Sequence, residues 1–103
     1  MRGPAVVLRC LDATSPVLRE IRAGLEEEGV PLVVEEVSGG DALALGYAAA
    51  CLSSLDVGIG VADEVCVHHA KRPAGSPALT GPLSRARVLG HNAARMVVGI
   101  PLK

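Results

Sequence analysis

Three short apolar runs with helix-like segments between them predict a three-layer α/β/α domain, with helices on both faces of a mostly parallel sheet that includes one antiparallel strand. The runs are Ala5 to Cys10, Leu32 to Val37 and Leu55 to Val61, and each of the first two leads into a stretch with helical character. Strand, helix, strand is the unit of a right-handed parallel crossover. A chain of 103 residues has room for one core and not for two, so residues 1–103 are read as a single domain.

The first run, Ala5-Val6-Val7-Leu8-Arg9-Cys10, is rich in valine and almost continuous in apolar character, as a strand buried on both faces should be. Ser15 and Pro16 then supply an N-cap and a proline at the first helical position. Val17, Leu18, Ile21 and Leu25 share one side of the helix that follows, and Gly29 with Pro31 ends it. After the strand Leu32 to Val37, Ser38-Gly39-Gly40-Asp41 breaks the chain and can cap a second helix over Ala42 to about Leu52. Its small residues, Gly46 among them, imply close packing rather than intrinsic helix strength, since an interior glycine costs about 1 kcal/mol against alanine.

The third strand puts Val57, Ile59 and Val61 on one face and glycines on the other, where a helix or a ligand can come close to the backbone. Gly58-x-Gly60 lacks the third glycine and the following helix of a dinucleotide loop. Ala62-Asp63-Glu64 makes a turn, and Val65 to His68 alternates as a strand folding back antiparallel. Ala70 to Pro82 is a basic, proline- and glycine-rich loop in which Ala78-Leu79-Thr80 can form a short last strand. A third helix is expected over Ser84 to Val98, with Ala86, Leu89, Ala93, Met96 and Val97 as its apolar stripe and His91, Asn92 and Arg95 on the other side. Gly90 and Ala94 leave a notch one turn apart for another backbone.

Composition narrows the function classes. Half the residues are hydrophobic, the only aromatic is Tyr47, and the formal net charge is -1. Neither the basic footprint nor the stacking platforms of a nucleic-acid binder are present. Cys10, Cys51 and Cys66 are odd in number and lack C-x-x-C spacing, which fits a reducing, cytosolic compartment. The N-terminal apolar run is too brief for a signal peptide or a membrane span, so a soluble chain is expected. Cys66 and His68 share a strand face, but no second ligand pair has metal spacing, and a Cys-His nucleophile would lack its orienting third group. There is no P-loop.

The one local rule that is broken lies at the end of the first helix. Glu26, Glu27 and Glu28 are expected in the last turn, at the negative end of the macrodipole, where each exposed carboxylate is unfavourable by about 0.3–1 kcal/mol. Such violations tend to mark function. Counted at about 100° per residue, Glu27 lies opposite the apolar stripe and points away from the core. The triplet is either an ordinary solvated face or a carboxylate presented to a cation, a metal or a basic partner.

Gly24 to Pro31, Val57 to Gly60, Val67-His68-His69, the Pro73 to Leu79 segment and Gly90 to Pro101 together resemble, in order and spacing, the small subunit of the reactivating factor for adenosylcobalamin-dependent diol and glycerol dehydratases. The likeness runs over nearly the whole chain. It implies an anticodon-binding-domain-like fold, similar to that of the dehydratase medium subunit, and a non-catalytic, chaperone-like role. The implied partners are a large ATPase subunit and the inactivated dehydratase. Subunit exchange between the two complexes would let damaged cobalamin escape. ADP, ATP and a divalent metal such as Mg are expected through the large subunit, with none bound by this chain alone.

By position, Glu27 would complete the large subunit's metal site, and Glu26, Glu28, Asn92 and Arg95 would join the partner interface; Asn92 and Arg95 could equally serve to fix the last helix. The loop runs into Thr80-Gly81-Pro82 rather than a longer connection, and His69 stands where the family commonly has an aromatic residue. The implied location is the cytoplasm, with association with a bacterial microcompartment left open. Two alternatives stand beside this reading: a component resembling the medium subunit of a B12-dependent dehydratase, and a generic small binding module on the same scaffold.

Overall fold

In the computed structural model, which describes residues 3–102, the chain alternates strands and helices as expected. The strands are β1 (Val6–Cys10), β2 (Leu32–Glu36), β3 (Val57–Val61), β4 (Val65–His69) and β5 (Leu79–Gly81). The helices are α1 (Pro16–Glu26), α2 (Ala42–Leu52) and α3 (Ala86–Val98), the last entered through a 3-10 turn at Leu83–Arg85. The five strands form one sheet in the order β2-β1-β3-β4-β5. β1 pairs in parallel with β2 and β3, while β4 is antiparallel to both β3 and β5, so β4 alone runs against the rest.

The alternation in β3 assigns the two faces. Val57, Ile59 and Val61 join Val6, Leu8 and Cys10 of β1 in the core that receives Leu18, Ile21 and Leu25 of α1 and Leu89 and Ala93 of α3. Gly58 and Gly60 face the other way, onto α2. A Cβ on Gly58 would strike the backbone nitrogen of Ala50, and one on Gly60 would strike the carbonyl oxygen of Ala42. The close approach foreseen at these glycines is therefore that of a helix.

Local signals hold where they were strongest. Ser15 Oγ accepts from Val17 N–H at 3.3 Å, and Asp41 Oδ1 accepts from Ala44 N–H at 2.8 Å. α1 closes with Gly29 in the left-handed region at φ 69°, Val30 N–H donating to Leu25 O and Gly29 N–H to Glu26 O. Three expectations are corrected. The last turn of α1 does not hold the whole acidic triplet, because the helix ends at Glu26 with Glu27 as its cap and Glu28 in the turn beyond. β5 sits one residue later than expected, its register fixed by Val67 opposite Leu79. Finally, His91 and Asn92 are buried rather than set on an open side of α3. α3 has two buried faces, one on the sheet and one on α1.

Candidate functional site

The crossing of α1 and α3 builds the site. A Cβ on Gly24 would meet the carbonyl oxygen of Arg87 and lie 2.6 Å from the amide nitrogen of His91, and a Cβ on Gly90 would meet the carbonyl oxygen of Ile21. Backbone thus touches backbone, which only glycine permits. The result is that the C-terminal end of α1 comes down on the middle of α3. Glu20 and Arg87 bridge the same crossing on the outside, with Nε to Oε1 at 3.3 Å and Nη2 to Oε2 at 3.4 Å. Both side chains are about half exposed, so the pair is worth about 0–1 kcal/mol.

At the end of α1 the triplet divides. Glu28 Oε2 lies 2.7 Å from His91 Nε2, and Glu27 Oε2 lies 3.5 Å from His91 Nδ1. A carboxylate oxygen can only accept, so the short contact places a proton on Nε2. Arg95 Nε stands 3.3 Å from the same nitrogen, and because both atoms are then donors we read this as a close approach rather than a bond. Arg95 is anchored elsewhere, its Nη1 donating to Pro101 O at 2.6 Å.

His91 is 4% exposed, and its Nδ1 is buried without a hydrogen-bond partner among the described residues. Nδ1 faces Glu27 beyond good bonding distance. In the neutral ring these are two acceptors turned toward each other, an arrangement that a cation or an incoming donor would relieve. Glu27 itself is 43% exposed in its side chain, against 22% for Glu28.

The residues singled out in the sequence thus fall into three positions. Glu27 and Glu28 meet on His91. Glu26 is exposed and, one turn on from Arg22, turns to the opposite flank of α1. Arg95 borders the corner through His91, and Asn92 is buried beneath it at 4% exposure. Among the described residues, no three His, Cys, Asp or Glu side chains are grouped so as to hold a metal ion by themselves. His91 was missed as the centre of the cluster because a helix wheel counts apolar residues. The available signal was Gly90 beside it, a notch whose neighbours must be buried once another helix fills it.

The second buried histidine makes a closed arrangement. His68 Nε2 lies 3.0 Å from Ala74 O and therefore donates to it, while Nδ1 accepts from His69 N–H at 2.9 Å. The ring is fully buried and packs against Tyr47, with centroids 5.0 Å apart. Both nitrogens are used, so the chelating pair considered for Cys66 and His68 has no nitrogen to give. Burial pushes the Cys66 thiol up to about 11, with Glu64 and Asp41 adding to it.

A family model described as dehydratase medium subunit matches residues 3–103. The chain belongs to the dehydratase medium subunit family, among its reactivating-factor small subunits. A propanediol dehydratase-reactivating factor small subunit of Citrobacter freundii is 36% identical over 97% of this chain and 90% of its own length. The diol dehydratase-reactivating factor small subunit of Klebsiella michiganensis is 34% identical over 98% of the chain and 85% of that protein. Two solved structures agree in fold. One, of a glycerol dehydratase reactivase, is 38% identical with a TM-score of 0.88, covering 98% of this chain and 97% of that one. Another, of a diol dehydratase-reactivating factor complexed with ADP and Mg2+, is 33% identical with a TM-score of 0.89, each chain being covered to 99%. In this chain the α1 end and the start of the Gly90 to Pro101 segment, far apart in sequence, form one corner.

Proposed function

We propose that this chain is the non-catalytic small subunit of a chaperone-like reactivating factor, pairing with an ATPase large subunit and serving an adenosylcobalamin-dependent diol or glycerol dehydratase. Its place would be taken, on docking to the inactivated enzyme, by the dehydratase's own medium subunit, and damaged cobalamin would leave through the opened contact. The observation that carries this reading is the corner made by Glu27, Glu28 and His91, an exposed carboxylate set beside an orphaned buried nitrogen. Glu27 would contribute to a divalent-metal site whose other ligands come from the large subunit.

The donor set suits such an ion. A carboxylate is a hard oxygen ligand, and one or two carboxylates are what Mg typically takes from a protein beside waters and nucleotide phosphates. Glu28, held by His91, would keep the corner negative, and His91 would fix both carboxylates from behind. Arg95 would border the contact, with Asn92 supporting α3 under it, and Glu26, on the other flank, would add only to the surrounding negative field. ADP and ATP would act through the large subunit, at a cytoplasmic location.

The test is calorimetry of the chain against a reactivase large subunit, first with ADP and magnesium, then with ATP. Complex formation that changes with the nucleotide supports the reading, and no binding between two folded partners overturns it. A second reading, a medium-subunit-like part of a B12-dependent dehydratase, is favoured by the description of the matching family model. Cobalamin binding by the chain, with no affinity for a reactivase large subunit, would select it.

A further inference from the structure

The two edges of the sheet are built differently. β5 is three residues long and runs straight into Pro82, which is how an edge is blunted. β2 has five residues, Leu32-Val33-Val34-Glu35-Glu36, with no proline, lysine or bulge, and among the described residues it pairs only with β1. Val6 N–H donates to Pro31 O and Val37 N–H to Cys10 O, so the odd-numbered backbone groups face β1. The N–H and C=O groups of Leu32, Val34 and Glu36 consequently point away from the sheet. This is an open template for another strand.

Room for side chains exists on both faces of that edge. On the α1 face, a hollow of about 560 Å³ is lined by Ser15, Leu18, Arg19, Arg22 and Val34 among others. On the α2 face, one of about 270 Å³ is bordered by Val33, Leu52 and Ser54. Successive side chains of an added strand alternate between faces and need both.

Charge selects the occupant. Arg19 and Arg22 are exposed and have no ion-pair or hydrogen-bond partner among the described residues, whereas Arg9, Arg72, Arg87 and Arg95 are all engaged; Arg85 is likewise unpartnered but lies on the 3-10 turn before α3, away from β2. The hollow also lies at the N-terminal end of α1, where the macrodipole is positive. Glu26 lies one turn beyond Arg22, and Glu36, which accepts from Ala13 N–H at 2.8 Å, keeps its negative charge at the end of β2, so the positive charge of this flank is that of Arg19 and Arg22 between them. A second copy paired β2 to β2 would bring both chains' Arg19 and Arg22 to one two-fold axis, like charge on like charge.

We propose that the β2 edge accepts an extended segment of a partner protein as a sixth strand, with an acidic side chain of that segment against Arg19 and Arg22. This surface lies on the flank of α1 away from Glu27 and is independent of the metal reading.

The test uses the full chain with two probes, an eight-residue peptide of alternating threonine and valine with one central glutamate, and the same peptide with lysine in its place. NMR titration should show the glutamate peptide shifting the amides of Leu32, Val34 and Glu36 and slowing their exchange. The double variant Arg19→Glu, Arg22→Glu, entirely on the surface, should weaken that binding about tenfold or more and transfer the preference to the lysine peptide. Val34→Pro removes an outward N–H without touching a ladder bond and should abolish binding of either. Three results would overturn the proposal: β2 amides unmoved by both peptides, equal binding of the two with no effect of charge reversal, or protection of β2 that appears on concentrating the chain without peptide.

Discussion

His68 on β4 and His91 on α3 are both buried, and a carbonyl or carboxylate oxygen fixes a proton on Nε2 of each. They part at Nδ1. In His68 that nitrogen takes the amide of His69, closing the set, and the ring ties Ala74 of the basic loop to the sheet. In His91 it is orphaned and turned toward an exposed glutamate. A satisfied buried ring holds a fold together; an unsatisfied one beside a solvent-facing acid leaves a place for something to bind. One histidine is thus finished by the residues around it and the other is not.

The largest effect is expected at the closed histidine. His68→Ala removes a fully buried ring, its contact with Tyr47 and two hydrogen bonds, and should cost about 3 kcal/mol or more in urea denaturation. Gly90→Ala pushes α3 off Ile21 and should cost about 1–3 kcal/mol, while parting Glu28 from His91. Loss of stability with the Glu28 contact intact by NMR would separate the crossing from the corner. His91→Ala leaves a half-buried Glu28 without its donor, at about 1–2 kcal/mol, less than His68→Ala. If the two histidine variants were equally destabilised, the contrast between them would fail.

A gentler probe is the thiols. Cys66, beside His68 on β4, is fully buried, Cys10 is also buried, and Cys51 is exposed. At pH 8 a thiol reagent should label Cys51 quickly and the other two only on unfolding. Because the Cys66 thiol is raised from 9.0 to about 11, the folded chain keeps a proton that the unfolded chain loses. That stabilising contribution is intact below pH 9 and is lost as pH rises toward 11. Cys66→Ser should flatten this alkaline slope, and an unchanged slope would assign it to another group.

Much of this was legible in residues that act locally. Ser15, Pro16, Asp41 and Gly29 fix their caps whatever surrounds them, and the β3 glycines announced a close neighbour. The misplacements arose where distant packing decides. β5 takes its register from β4 across a loop, which no feature of Ala78 to Gly81 encodes. Gly90 and Ala94 were seen as a notch, but that α1 would fill it, burying His91 and Asn92, depends on two helices meeting. Glu27 was visible as a broken local rule. Its approach to His91, more than sixty residues along the chain, was visible only in three dimensions.

We propose that Glu27 acts on a partner and not on the fold. Glu27→Gln should leave thermal stability within about 0.5 kcal/mol of wild type, or slightly above it, since a carboxylate at a helix C-terminus has been neutralised. The decisive measurement is the affinity of wild type and Glu27→Gln for a reactivase large subunit with ADP, in magnesium and again in EDTA. We expect magnesium to strengthen wild-type binding by about tenfold or more and to do little for the variant. An equal magnesium effect on both proteins would remove Glu27 from the metal site.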